Sequence, residues 1–293
     1  MYDFSQHKFR CSSWGHLFTE PKEKSPLDKY NEAVAKDLKM IEEHKAMKDG
    51  LKSKDAKLEA IKKNKLAIIE LEKTKNNPHF SATAKKHLID VYFANEFNLH
   101  SEIQGKALDK GILCEEESIT LYSRVKRKVF RKNTTRLFND YLQGEPDIFE
   151  GESIGSAKKI IDIKTSWDHI TFGRNLAEDE LKDIYYYQLM GYMWLTGARE
   201  ATVSYCLVNT PPDLIDWAKN SLAYKIGTKN PDNEIYRKAC EELERNSNYD
   251  HIPIEQRIIE FDVKYDEDVI EIGKEKIIKC REYLINLQKS RIN

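Results

Sequence analysis

The chain has 293 residues, 48 Lys and Arg against 49 Asp and Glu, and a hydrophobic fraction of 40%, enough apolar material for a sizeable core. No run approaches the roughly 18 apolar residues of a membrane span, and the opening Met1-Tyr2-Asp3-Phe4 lacks the order of a signal peptide, so a cytoplasmic protein is expected. A formal net charge of -1 excludes a uniformly basic nucleic-acid binder; if DNA is the ligand, the positive charge must be local.

In chain order, Phe9 to His16 reads as a short ordered segment that ends in a loop at Pro21 and Pro26. From Leu27 to Asn76 the composition turns dense in Lys and Glu, and Val34, Leu38, Ile41, then Leu58, Ile61, Leu66 and Ile69 recur near helical spacing on either side of Asp49-Gly50. That pattern predicts a helical hairpin, inserted over 31–79 into a main domain made of 1–30 and 80–293. Its lysines suit either a solvated surface appendage or a contact arm for DNA or a protein partner. Asn77-Pro78 closes the segment, and a helix follows over Ser81 to Asn95.

Beyond it the expected order is a helix (105–123), strands near 126–131, 135–141, 145–150 and 159–165, and a helix (178–196). A strand (200–208), a Pro-Pro loop, two helices, a strand (257–263) and a last helix (266–288) follow. Helices flanking a strand-rich centre predict an α/β or α+β class with one mixed sheet. Five cysteines, at 11, 114, 206, 240 and 280, form no CxxC and no Cys/His cluster, so they are expected to be reduced packing residues and not zinc or iron-sulfur ligands.

Three segments carry chemistry. On the 105–123 helix, Leu108, Ile112, Ile119 and Tyr122 make an apolar stripe that contains Glu115, while Glu116 and Glu117 project away from it. A carboxylate on the core side needs a cationic partner, which a salt bridge or a metal supplies. Next, Gly144-Glu145-Pro146-Asp147-Ile148 and, after a Gly/Ser-rich turn, Ile160-Ile161-Asp162-Ile163-Lys164-Thr165 read as an antiparallel hairpin. Strand alternation puts Asp162 and Lys164 on one face and Ile161 and Ile163 on the packed face, and Pro146, with no N–H, bends the strand where Asp147 is aimed. Alone, Asp-x-Lys suits a cross-strand ion pair. Together, Glu115, Asp147, Asp162 and the Ile163 carbonyl offer the hard oxygens that Mg²⁺ or Mn²⁺ prefers, with Lys164 free to orient or deprotonate a water and to offset charge on a phosphate. Third, Gln188 and Tyr192 stack one turn apart on an aromatic helix.

Gly111-x-x-x-Glu115, Glu145-Pro146-Asp147, Asp162-Ile163-Lys164 and Gln188-x-x-x-Tyr192, in that order and at those gaps, resemble the PD-(D/E)xK nuclease superfamily in its phage recombination branch, the lambda-type or YqaJ-like exonucleases. The resemblance implies a restriction-endonuclease-like α/β core, a central mixed sheet flanked by helices. It implies a metal-dependent DNA exonuclease working 5′ to 3′ on duplex ends, with a single-strand annealing protein as companion and a ring-shaped trimer as assembly. By position, Glu115, Asp147 and Asp162 would be ligands, Lys164 the catalytic lysine, and Gln188 with Tyr192 the supporting helix motif. Ser12, with Arg10 beside it, falls where such enzymes place a serine on the terminal 5′-phosphate. Asp162 replaces the glutamate of many relatives, and the 31–79 hairpin has no counterpart in the compact lambda-type enzyme.

A basic run, Arg124, Lys126, Arg127, Lys128, Arg131 and Lys132, reads as a solvated strand face or as a contact for the DNA backbone, with Lys158 and Lys159 as further candidates. Two other readings fit parts of the pattern. One is a CRISPR-associated or RecB-like nuclease of the same superfamily, although the four-cysteine cluster and helicase domain common there are missing from this sequence. The other is a catalytically silent DNA-binding or interaction protein.

Overall fold

The structure, a computed structural model, describes residues 1–100 and 105–292, so residues 101–104 and 293 of the expected main domain lie outside it. The chain divides into two compact units, one formed by Met1–Phe4, His16–Asn98 and Ile278–Asn293, the other by Ser5–Gly15 and Leu99–Ile277. In chain order, β1 (Phe9–Arg10) leads into α1 (Cys11–Trp14), followed by α2 (Pro26–Ala46), α3 (Lys52–Thr74) and α4 (Ala82–Phe97). Then come α5 (Lys106–Leu113), α6 (Glu115–Lys126), β2 (Leu137–Phe138), β3 (Leu142–Gly144), β4 (Ile148–Glu150) and β5 (Lys159–Thr165). The remainder is α7 (His169–Leu176), α8 (Asp183–Thr196), β6 (Glu200–Cys206), α9 (Pro212–Ile226), α10 (Glu234–Arg245), β7 (Ile258–Lys264) and α11 (Glu267–Ile292). No helix among the described residues is long and apolar enough to cross a membrane.

In the first unit α2 and α3 form the expected hairpin. Ser25 caps α2 by accepting from the Asp28 N–H, and Pro26 at the first helical position has no N–H left to satisfy. The turn passes through Gly50 at φ +77°, a left-handed conformation that glycine adopts without a Cβ clash. Between the helices, Asn64 Nδ2 donates to the Ala33 carbonyl at 3.0 Å and to Asp37 Oδ1 at 3.3 Å, and Lys57 pairs with Glu43. Ile61 is buried, whereas Leu38, Leu58, Leu66 and Ile69 are exposed.

All seven strands belong to the second unit, in two sheets and not one: β1-β3-β2, and β4-β5-β6-β7. The four-stranded sheet is mixed, with β5 antiparallel to β4 and parallel to β6, and β6 antiparallel to β7. Strand alternation divides β5 as expected. Ile161 and Ile163 join Ile148, Ile119, Leu121, Tyr122, Phe130, Cys206 and Val208 in one apolar cluster beneath α6, and each fully buried isoleucine there contributes roughly 1.5–3 kcal/mol. Asp162 faces the other way, to Gln188 on α8. The five cysteines are free thiols, and all but Cys240 are buried.

Three expected elements differ. The single 105–123 helix is two helices, because at Cys114 (φ -105°, ψ 11°) the backbone leaves the helical region; Cys114 N–H closes α5 on Lys110 and its carbonyl opens α6 to Ser118. The strand near 126–131 does not form: Arg127 takes a left-handed conformation (φ 53°) and ends α6, and Lys128 N–H turns back to the Ser123 carbonyl. The strand near 145–150 starts only at Ile148, after the proline that cannot donate to a ladder.

Close packing of α1, α8 and β3 requires two glycines. A Cβ at Gly144 would lie 2.7 Å from Tyr192 Cε1 and 2.9 Å from Cys11 Sγ, and one at Gly191 would lie 2.9 Å from the same sulfur. Gly144→Ala is therefore expected to cost roughly 1–3 kcal/mol, read as a fall of several degrees in melting temperature. An unchanged melting temperature would show that the packing of β3 against α1 and α8 yields freely.

Candidate active site

The residues singled out by the motifs meet at the end of β5 beyond the last β4 pair, Ile148–Ile161. From Asp162 onward the β4-facing edge of β5 has no strand partner, and the Ile163 N–H donates instead to Asp147 Oδ2 at 2.7 Å. In an extended strand a residue's N–H and C=O point to the same side, so the Ile163 carbonyl looks out along that same edge. Asp162 is 1% exposed. Its Oδ1 accepts from Gln188 Nε2 at 3.1 Å, and Lys164 Nζ lies 2.7 Å from its Oδ2 as an ion pair. The second hydrogen of Gln188 Nε2 goes to the Tyr192 hydroxyl at 3.0 Å, which fixes the amide.

The electrostatics are unbalanced toward negative charge. Burial first, and the Asp162 carboxylate second, push the Asp147 carboxyl well above the usual carboxylate range, and Glu115 adds to the effect. Burial by itself would lower Lys164, but Asp162 and Asp147 more than offset it and hold the ammonium above its ordinary value. Lys164 also stands 5.0 Å from the centre of the Tyr185 ring.

Glu115 occupies the first turn of α6, where the helix dipole favours a carboxylate, and its Oε2 is 2.6 Å from Lys132 Nζ. It shares with Asp147, Ile163 and Lys164 a cleft of about 540 Å³. No cluster of three or more His, Cys, Asp or Glu side chains is gathered tightly enough to hold a metal among the described residues. Each carboxylate is instead engaged by a protein partner: Glu115 by Lys132, Asp147 by the Ile163 N–H, Asp162 by Lys164 and Gln188.

Leu108 and Ile112 are exposed and not buried, because the break at Cys114 turns α5 so that they line this cleft. The same cleft is also lined by residues that no motif marks: Ser166, Trp167, Thr171, Arg174, Asn175 and Lys182. Arg174 rides on α7, which starts at a capping box: Asp168 accepts from the Thr171 N–H while the Thr171 hydroxyl receives the Asp168 N–H. Neither Arg174 nor Lys182 has an ion-pair partner among the described residues.

Other candidates stand elsewhere. Tyr192 is buried behind Gln188, its hydroxyl already engaged. Arg10 and Ser12 are exposed on β1 and α1. Arg124, Lys126, Arg127 and Lys128 gather at the far end of α6, roughly 16 Å from Glu115 along the helix. Lys126 pairs with Glu260 at 2.5 Å and Lys128 with Glu150 at 3.1 Å, which leaves Arg124 and Arg127 as the more available charges. Lys159 pairs with Asp262 at 2.9 Å.

No family model matches the chain, and no curated protein matches it in sequence. Among solved structures it is similar to a phage-related exonuclease from Haemophilus somnus 129PT, with a TM-score of 0.61 and 21% identity over 98% of this chain and 97% of that one. An alkaline exonuclease from Laribacter hongkongensis superposes more loosely, with a TM-score of 0.48 and 11% identity over 73% of this chain and 88% of that one. In fold, then, the chain is a mixed α/β protein like that phage-related exonuclease, with a mixed four-stranded sheet flanked by helices as its motifs imply.

Proposed function

We propose that the chain is a divalent-metal-dependent deoxyribonuclease that degrades duplex DNA from its ends, 5′ to 3′, in phage-type recombination. The observation that carries this reading is the crowding of Asp147 and Asp162 at one strand edge, with the Lys164 ammonium 2.7 Å from Asp162 Oδ2, beside an open cleft. Two buried carboxylates, one of which holds the other's proton on, next to an outward-facing backbone carbonyl, make a hard-oxygen donor set short of positive charge. Mg²⁺ or Mn²⁺ fits it: Asp147, Asp162 and the Ile163 carbonyl would hold the cation, and Glu115 would join on leaving Lys132. Bound there, the cation supplies Lewis acidity toward a phosphodiester oxygen and acidifies water.

The chain's own residues do the rest. Lys164, held protonated at neutral pH by its two carboxylates, acts as a positive charge at the phosphate and water and not as a base. Gln188 keeps Asp162 from rotating, and Tyr192 keeps Gln188. Arg174 and Lys182 bind the phosphates that flank the scissile one, while Leu108, Ile112 and Trp167 offer an apolar wall to sugar and base. The single strands left by such digestion suit an annealing protein as partner, and a homo-oligomer, a trimer by resemblance, would keep the enzyme on its substrate.

Digestion of end-labelled linear, nicked and circular DNA with Mg²⁺ tests the reading. Release of labelled nucleotide from linear ends only, lost in chelator, is expected; cleavage of closed circles, or cleavage without metal, contradicts it. The double variant Arg174→Ala/Lys182→Ala is expected to weaken DNA binding and to reduce the slope of log affinity against log salt by about 2 on duplex, roughly 0.9 for each phosphate no longer neutralised. An unchanged salt slope would place the DNA elsewhere.

A further inference from the structure

Asn133 belongs to none of the motifs, yet it is only 7% exposed, in the irregular segment between α6 and β2. Its backbone N–H donates to the Asp147 carbonyl at 2.7 Å. Its side-chain Nδ2 donates to the Pro146 carbonyl at 3.0 Å and to the Thr135 carbonyl at 2.9 Å, and its Oδ1 accepts from the Thr135 N–H at 3.1 Å. One residue thus holds the carbonyls on both sides of the Asp147 Cα. Those two peptide planes define φ and ψ of Asp147, and with them the direction in which its Cα–Cβ bond leaves the chain. The strand ladder begins at Ile148, paired with Ile161, and so reaches only the second of these planes; the Pro146 carbonyl of the first is held by Asn133. The preceding residue, Lys132, holds Glu115 at 2.6 Å, so two consecutive residues fix both acidic groups that line the cleft wall.

We infer that Asn133 is a positioning residue for Asp147: by locking the backbone on either side of it, Asn133 aims the carboxylate at the open edge of β5 and so sets the affinity for the divalent cation. The inference rests on the reading of Asp147 as a metal ligand given above. Asn133→Asp keeps the shape and the acceptor to Thr135 but loses the two Nδ2 donations. Asn133→Ser keeps the backbone bond to Asp147 and leaves space for water at the Pro146 carbonyl, in case the aspartate variant does not fold.

The experiment is a calorimetric titration of the full chain with Mn²⁺, with thermal melts in chelator and steady-state kinetics at saturating Mg²⁺ alongside. Both variants are expected to bind Mn²⁺ roughly 10- to 100-fold more weakly than the unaltered chain, with the KM for DNA at saturating Mg²⁺ within about twofold. Unchanged Mn²⁺ affinity with a lowered melting temperature would assign Asn133 a packing role only and overturn the inference. If the unaltered chain binds Mn²⁺ and digests DNA, that failure is confined to Asn133; if it binds no Mn²⁺, the metal-ligand reading of Asp147 falls and this inference with it.

Discussion

Asp162→Asn is expected to reduce nuclease activity by at least about a thousandfold while the melting temperature at neutral pH stays the same or rises. The two effects have one cause. The substitution preserves shape, and its Oδ1 still accepts the Gln188 amide that now reaches Asp162 at 3.1 Å. It removes a buried charge whose field raises the Asp147 carboxyl, so the folded state sheds repulsion that only a bound cation would otherwise neutralise. Lys164 keeps Asp147 as a neighbouring anion and does not become an isolated buried charge. A site that loses function and no stability is one whose charges are arranged for a ligand and not for the fold. Circular dichroism, a thermal melt and end-labelled digestion check the pair of effects. A variant that digests DNA at the original rate would remove Asp162 from the chemistry.

Mg²⁺ is expected to stabilise the chain more strongly as the pH rises, the second large effect. The sign follows from Asp147, whose carboxyl is pushed up to about 8 by burial and then by Asp162. An unfolded aspartate titrates at about 3.9, so the folded chain holds this proton more tightly than the unfolded chain does. Without metal, the stability contributed by the group is complete below about pH 4 and is lost as pH climbs through the raised folded value. A cation must displace that proton. Below the raised value its affinity should grow by up to about tenfold per pH unit, and above it the gain should level off. Melts at a fixed millimolar Mg²⁺ concentration, compared with chelator from about pH 6 to about pH 9, read this directly. A stabilisation that is flat or shrinks with rising pH would mean that Asp147 does not hold the ion.

Much of this site is legible in sequence because it lies on regular elements. The alternation in Ile160 to Thr165 makes β5 and its two faces plain, and Gln188 and Tyr192 fall one turn apart on a helix closed by Gly197 at φ +77°. What escapes depends on contacts made elsewhere in the fold. Cys114 carries no sequence signal of a break, since residues on both sides are good helix formers, so α5 and α6 read as one helix and Leu108 and Ile112 read as core. Val129 and Phe130 have strand-like character, but the left-handed Arg127 and the Phe130 N–H bond to Ser123 Oγ at 3.1 Å hold that segment as a loop. The parallel pairing of β1 with β3, which joins Phe9 to Leu142, is set by residues more than a hundred positions apart. Arg174 and Lys182 acquire their place only because α7 and α8 meet at the same cleft.

Lys110 shows the same limit. It is fully buried on α5, donates to the Trp167 carbonyl at 2.9 Å, and is brought down to about 8 by burial. In sequence it is one lysine among many. In the fold it ties α5 to the segment that follows β5, and so joins two walls of the cleft.

Anomalous scattering from a crystal soaked in Mn²⁺ tests the central claim most directly. The expected result is one peak within coordination distance, about 2.0–2.3 Å, of oxygens from both Asp147 and Asp162. A saturating soak that leaves that strand edge empty, or places the ion on other residues, would contradict it.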